Sequence, residues 1–291
     1  MGSTIWSGLT LGAIYVVIAL GFTLSLLPSG VFNFAQGAVV GIGTYLTYQW
    51  FQDGLPWEVA VLLNLAAGIG LGLACELIAI RPLRLGRAAG RQQTELVTTV
   101  GLSTALGGVA TLIWGVNALR VPFSGPKQLV HVIGVVATPV SIILVVAAIV
   151  VGLALHAFFH YSRWGQACLA VAEDRSAASL RGINVSFLSL AAFAGAGALG
   201  TLSAILIGPI TYATPDVALT LALGGFVALA LGGNGSFLGA IPGGLLTGLC
   251  SSFATRYLGA SYANLSVLIL LLVVLMARPS GIGGRAAGRV V

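Results

Sequence analysis

Apolar residues run through this chain in long unbroken tracts, and the polar and charged positions gather in short intervals between them. The first charged residue is Asp53, so 52 residues precede any charge. Further charge-free or nearly charge-free tracts cover residues 59–79, 96–119, 132–162, 182–215, 217–255 and 257–277. None has the two-residue alternation of a barrel strand, whereas about 20 apolar residues in a helix cross a hydrocarbon core. The pattern predicts transmembrane helices. The first tract is too long for one span and divides at Pro28-Ser29-Gly30, and the 39 residues of 217–255 divide near Gly232-Gly233-Asn234-Gly235. The count is about nine spans, or eight if the segment from Asn33 to Trp50 is re-entrant.

Composition excludes a soluble alternative. Of 291 residues, 58% are hydrophobic and 7% charged, where a soluble globular chain carries about 25% charged residues; the mean hydropathy is +1.04. Such a chain cannot cover a surface facing water. In lipid its backbone polar groups must be satisfied internally, which leaves helices or a closed barrel. The expected fold is all-α, a polytopic transmembrane helix bundle. Residues 1–279 read as one membrane domain, because no polar segment is long enough to form its own core. Residues 280–291 form a Gly/Arg-rich tail. The first apolar run has no basic segment before it, so it reads as a retained span and not as a signal peptide.

Charge then orients the bundle. With nine spans and the N-terminus outside, Arg81, Arg84, Arg87, Arg91, Arg163, Arg175, Arg181, Arg278, Arg285 and Arg289 fall on one side. Only Arg120, Lys127 and Arg256 fall on the other, with Asp53, Glu58 and Asp216. Cytoplasmic loops hold the excess of positive charge, so the first side is cytoplasmic and the C-terminus lies there. The net charge of +6 is then a consequence of topology and calls for no nucleic-acid partner. Cys75, Cys168 and Cys250 are scattered and form no disulfide or metal framework. Small residues recur four apart at Gly8 and Gly12, Gly37 and Gly41, Gly68 and Gly72, Gly239 and Gly243, and Gly244 and Gly248. That spacing lets helix backbones approach within a bundle.

Chemistry is confined to a few places. The loop at about 162–184 reads RWGQACLAVAEDRSAASLRGINV to the start of the next span, and residues 167–180 have the composition of an amphipathic helix stopped by Gly182. Such a helix either lies on lipid headgroups or docks into a partner's groove. Asn33 and Gln36 follow the Pro-Ser-Gly break; they either line a route for substrate or satisfy the ends of broken helices. Thr98, Thr99 and Ser103 place hydroxyls on one span, where bonds back to their own helix are the ordinary use. His156 and His160 have a possible ligand spacing but no third ligand, so an interfacial pair is the expectation. Glu76 is placed to snorkel or to pair with Arg81 at the cytoplasmic boundary, and Glu95 and Asp216 fall near span ends.

Three stretches together carry a resemblance. The acidic pair, Ala-rich turn and Gly-Ile-Asn of the loop resemble the cytoplasmic coupling loop of the branched-chain amino-acid ABC transporter permease family. GLTLGAIYVVIALGFTL with SGVFNFAQGAVVGIGTYL is similar to that family's N-terminal signature, and LGGNGSFLGAIPGGLLTGL with RPSGIGG to its C-terminal one. The likeness covers nearly the whole chain in order. It implies the ABC importer permease fold in a bacterial inner membrane, a second permease, two ATPase subunits that bind ATP and Mg, and an extracytoplasmic binding protein. It also implies an ATPase contact at Ala172, Glu173, Asp174, Ala177, Arg181, Gly182 and Ile183. The family's Asn-Phe-Ala-His-Gly element falls on Asn33, Phe34, Ala35, Gln36 and Gly37, with Gln36 in place of the histidine. An amide does not titrate, so a proton-sensitive role there is in doubt. Thr98, Thr99 and Ser103 resemble the family's polar face.

The implied substrates are leucine, isoleucine and valine, although related permeases serve urea, short amides and other small organic solutes. No cofactor is expected in this chain: it has no glycine-rich phosphate loop, and its only lysine, Lys127, lies in an expected external loop. The competing classes are a stand-alone secondary transporter or channel, and an intramembrane enzyme. The first ordinarily keeps a carboxylate at midmembrane and the second a nucleophile with a base; neither feature is visible.

Overall fold

The computed structural model describes residues 1–82, 91–123, 125, 130–132, 135–215, 217–278 and 281. Arg84, Arg87, Lys127, Asp216, Arg285 and Arg289, most of the expected tail and the side chain of Arg91 lie outside the described residues. The helices are α1 (Gly2–Ser29), α2 (Gln36–Gln52), α3 (Trp57–Ala74), α4 (Arg91–Trp114), α5 (Pro139–Tyr161), α6 (Arg163–Glu173), α7 (Arg175–Leu180), α8 (Val185–Thr211), α9 (Val217–Gly232), α10 (Phe237–Tyr257) and α11 (Ala263–Ala277). A π-helical turn, Cys75–Ile80, extends α3, and a 3₁₀ turn, Ala260–Tyr262, leads into α11. Among the described residues seven helical stretches are long and apolar enough to cross a membrane. The shorter apolar α9 and the 17-residue α2 supply the remaining two segments expected from the hydropathy pattern.

Both expected breaks occur, and glycine makes each of them. Gly30 follows α1 at φ 73, and Gly233 and Gly235, at φ 94 and 82, separate α9 from α10. These are left-handed conformations that a Cβ disfavours. One element departs from the all-helical expectation. Strands β1 (Val130–Val132) and β2 (Val135–Ala137) pair antiparallel, and α5 begins only at Pro139. The tract from 132 has continuous hydropathy, which does not mark where its span begins. Its first residues are β-branched and suit a strand, and a proline is well placed in a helix's first turn, where its missing N–H has no intrahelical partner.

Contacts divide the chain into two compact units. The first comprises Met1–Thr23, Gly125–His156 and Leu223–Val291. In it α1 packs on α10 through glycines: a Cβ on Gly248 would lie 2.1 Å from the Gly12 nitrogen, and one on Gly244 2.7 Å from the Val16 nitrogen. Neither helix could come so close with larger residues there. Val227 and Leu231 of α9 meet Val267 of α11 in a small apolar cluster, and Trp6 Nε1 donates to Ser141 Oγ at 2.9 Å.

The second unit comprises Leu24–Ser124 and Ala157–Ala222, with α8 packed against α2 and α3. Gly68 and Gly72 of α3 face Gly197 and Phe193 of α8, where an added Cβ on Gly72 would lie 2.0 Å from the Phe193 carbonyl oxygen. A polar thread crosses this interface: Thr201 Oγ1 donates to the Asn64 carbonyl at 2.7 Å, and Asn64 Nδ2 donates to Thr47 Oγ1 of α2 at 3.2 Å. Leu119 and Ala213 exchange backbone hydrogen bonds of 3.0 and 2.9 Å, tying the segment after α4 to the end of α8.

Candidate functional site

The break between α1 and α2 starts at the exposed Gly30 and turns inward, with Val31, Asn33 and Ala35 buried. Ser29 ends α1 with its hydroxyl donating to the Ser25 carbonyl at 2.5 Å and accepting from Val31 N at 3.0 Å. The chain then carries Asn33, 1% exposed, and Gln36, fully buried, into the interior of the second unit. Gln36 Nε2 donates to the Ala196 carbonyl of α8 at 2.9 Å, and Gln36 N donates to the Asn33 carbonyl at 3.0 Å. The side-chain oxygens Oδ1 of Asn33 and Oε1 of Gln36 are buried with no hydrogen-bond partner among the described residues. The residue capping α2, Ala35, offers no side-chain acceptor to the first N–H groups of the helix. Gly37 follows, and a Cβ on it would lie 2.2 Å from the Ala218 carbonyl oxygen, so the first turns of the two short helices α2 and α9 touch there. Phe34 is half-buried. Unsatisfied acceptors and an uncapped helix start therefore share one buried place.

The hydroxyls of α4 divide around it. Thr99 is fully buried; its Oγ1 donates to Leu96 O at 3.0 Å and lies 3.4 Å from the Phe32 carbonyl in the break. Thr98 Oγ1 donates to Glu95 O and Thr94 O at 3.0 and 3.1 Å and lies 3.4 Å from Ala79 O at the end of α3. Ser103 is buried one turn beyond Thr99. Of the hydroxyls picked from the sequence, Thr99 reaches the break, while Thr98 joins α4 to α3.

The loop between α5 and α8 differs from the single helix expected over 167–180. Asp174 is extended (φ −148, ψ 107) and separates α6 from α7. The carboxylate explains the break: Asp174 Oδ1 accepts from Ser176 N at 2.8 Å and from Ala177 N at 3.0 Å, the pattern of an N-cap. The Ser176 hydroxyl also donates to it at 2.5 Å, and these bonds, the hydroxyl's first, hold the carboxyl below its ordinary range. Gly182, at φ 83, ends α7, and Asn184 Oδ1 caps α8 by accepting from Phe187 N at 3.0 Å. Ala172, Glu173, Asp174, Ala177, Arg181 and Gly182 are exposed and Ile183 is half-buried. Leu180 is 89% exposed, an apolar side chain presented outward from a polar loop. Burial pushes the Cys168 thiol up to about 11, which keeps it protonated and unreactive near neutral pH.

Two contacts escaped sequence reasoning. Arg175 Nη1 donates to the Ser29 carbonyl at 3.0 Å across 146 positions, joining the loop to the end of α1; nothing in the spacing signals it. Glu76 was expected at the membrane boundary near Arg81. It is 3% exposed, so it does not snorkel, and it accepts from Ser189 Oγ of α8 at 2.9 Å. The π-helical turn around it rotates the side chains relative to an α-helix, which defeats an estimate from residue spacing.

Residues 4–277 match the family model described as the branched-chain amino acid transport system, permease component. The chain belongs to this family. Among its relatives is the high-affinity branched-chain amino acid transport system permease protein BraD of Pseudomonas aeruginosa, 32% identical over 96% of this chain and 94% of that one. The corresponding permease protein LivH of Escherichia coli is 31% identical over the same shares. The ribose import permease protein RbsC of Escherichia coli is 25% identical over 91% of this chain and 82% of its own. Among solved structures, PsaBC from Streptococcus pneumoniae in complex with Fab shares the fold at a TM-score of 0.50 and 15% identity, over 94% of this chain and 91% of that one. This branched-chain permease family member is thus a multi-span membrane protein and the permease component of an ABC importer, working with other transporter subunits.

Proposed function

We propose that this chain forms the substrate route of an ATP-driven importer of leucine, isoleucine and valine in a bacterial inner membrane. In this reading it pairs with a second permease, two ATPase subunits that bind ATP and Mg, and an extracytoplasmic binding protein, with its own N-terminus outside and C-terminus in the cytoplasm. The observation that carries the reading is likeness along 96% of the chain to permeases whose names specify branched-chain amino acids. Asn33, Phe34, Gln36, Gly37, Thr98, Thr99 and Ser103 line or border the route. Support comes from the buried amide oxygens of Asn33 and Gln36, which have acceptor capacity unused by the protein. Ala172, Glu173, Asp174, Ala177, Arg181, Gly182 and Ile183 dock on an ATPase; their support is the exposed, capped α6–α7 pair. ATP closes the ATPases and moves this loop, and the preference of ATP for the closed state supplies the work.

The decisive experiment reconstitutes the purified complex in proteoliposomes and follows radiolabelled leucine. Uptake is expected only with binding protein outside, ATP on the ATPase side and both ATPase subunits present. Flux through this chain alone would overturn the reading. A second reading of the substrate rests on the ribose import permease, whose likeness to this chain extends over 91% of its residues. Uptake of a sugar, urea or a short amide, with none of the three amino acids transported, would select that alternative and leave the importer class intact.

A further inference from the structure

We propose that Arg175 is the positioning residue through which movement of the docking loop reaches the α1–α2 break. The proposal rests on the reading that the α6–α7 loop contacts an ATPase, and goes beyond it by naming the path inward. Arg175 is the first residue of α7, directly after the Asp174 cap. Two backbone N–H bonds to Asp174 cap the start of that helix, so the backbone of the arginine is held at a capped helix start. Its Nη1 bonds the carbonyl of Ser29, the last residue of α1. The final carbonyls of a helix have no intrahelical donor and carry the negative end of its dipole, where a guanidinium is a favoured partner.

From Ser29 the linkage continues without a gap. The Ser29 hydroxyl holds both Ser25 O and Val31 N, and Gly30 turns the chain at φ 73 with its N–H on Leu26 O at 2.7 Å. Three residues later Asn33 holds Gln36 N, and Gln36 reaches across to Ala196 of α8. A displacement of α7 therefore pulls on the hinge glycine itself, six residues from the buried amide that α2 starts with. Two other bonds of the loop are local in sequence: Ser162 caps α6 and Asn184 caps α8. Arg175 is the long-range one among those bonds.

The test uses the whole complex, with Cys75, Cys168 and Cys250 replaced by alanine and Phe34→Cys added as a reporter in the break. Labelling of this reporter by a soluble maleimide is compared with and without ATP plus vanadate, which traps ADP and vanadate on the ATPases after hydrolysis, a readout that does not depend on the transported solute. In the parent, trapping is expected to change the labelling rate. Arg175→Met keeps the length of the side chain but has no donor. It should leave assembly and ATP hydrolysis intact, abolish the trapping-dependent change, and lower transport per ATP by about tenfold, within the range of ordinary site-to-site coupling. Arg175→Lys, which keeps a charged donor, should recover part of both. A Met variant whose labelling still responds to trapping overturns the proposal. So does one in which assembly and hydrolysis fall together with transport, because Arg175 would then only hold the loop in place. Leu180→Asp separates the two readings: if it leaves ATPase binding unchanged, the docking assignment of the loop fails, whatever Arg175 does.

Discussion

Asp174 accepts three hydrogen bonds on one carboxylate oxygen, and they lower its pKa. Because the folded value lies below the unfolded one, the cap contributes stability above the ordinary aspartate range and loses it as pH falls through the depressed folded value. Amide exchange at Ser176 and Ala177, measured relative to neighbouring amides, should therefore be slow at neutral pH and rise on acidification; a ratio independent of pH would remove the capping role. Gln36 poses a different question, since its donor and its acceptor have different surroundings. Gln36→Leu deletes the bond to Ala196 O and should cost about 1 kcal/mol of stability, the net worth of such a bond, read from thermal unfolding in detergent. If Gln36 also borders the route, uptake per folded complex should fall severalfold; unchanged uptake would reduce it to an anchor for the broken helix. Asn33 and Gln36 were identifiable from the sequence because polar side chains directly after a Pro-Ser-Gly break are conspicuous in an apolar tract. Arg175 was not, because its partner is a backbone carbonyl and any residue supplies one.

At the scale of elements, glycine spacing decides which helices touch. Gly68 and Gly72 admit α8, and a methyl group on Gly72 would lie 2.0 Å from the Phe193 carbonyl oxygen. Two residues away, Gly70 has nothing within 4 Å of an added Cβ. Gly72→Ala should destabilise the membrane domain by about 1–3 kcal/mol, the range for overpacking, while Gly70→Ala should be neutral or gain up to about 1 kcal/mol from helix propensity. Equal thermal midpoints for the two variants would contradict the α3–α8 packing. The four-residue spacing of these glycines was plain in the sequence, but their partners were not, since Gly8, Gly12, Gly68 and Gly72 all look alike before the chain folds. The same limit explains the loop. Helical composition over 167–180 is real, yet a carboxylate within reach of the N–H groups two and three residues on makes Asp174 a cap, and capping interrupts what composition would continue.

For the whole molecule, topology is the property most open to direct measurement. A single cysteine at Gln52→Cys, in the exposed end of α2, should react with an impermeant maleimide from outside intact cells, and one at Leu180→Cys only after the inner face is exposed. The reverse pattern would invert the orientation and with it the docking face. What the sequence by itself determined was the solvent of this protein and the approximate number and ends of its spans, with its family entering through the likeness of three stretches to known permeases. Solvent and spans follow from local quantities: hydropathy summed over a helix length, charge between tracts, and glycines where the chain must turn. Only the tertiary structure decided which backbones meet at Gly37 and Gly72, that Glu76 turns inward to Ser189, and that Arg175 ends on Ser29. Each of those depends on groups far apart in the chain, and many of the partners are backbone atoms common to every residue, so no pattern of side chains can announce them.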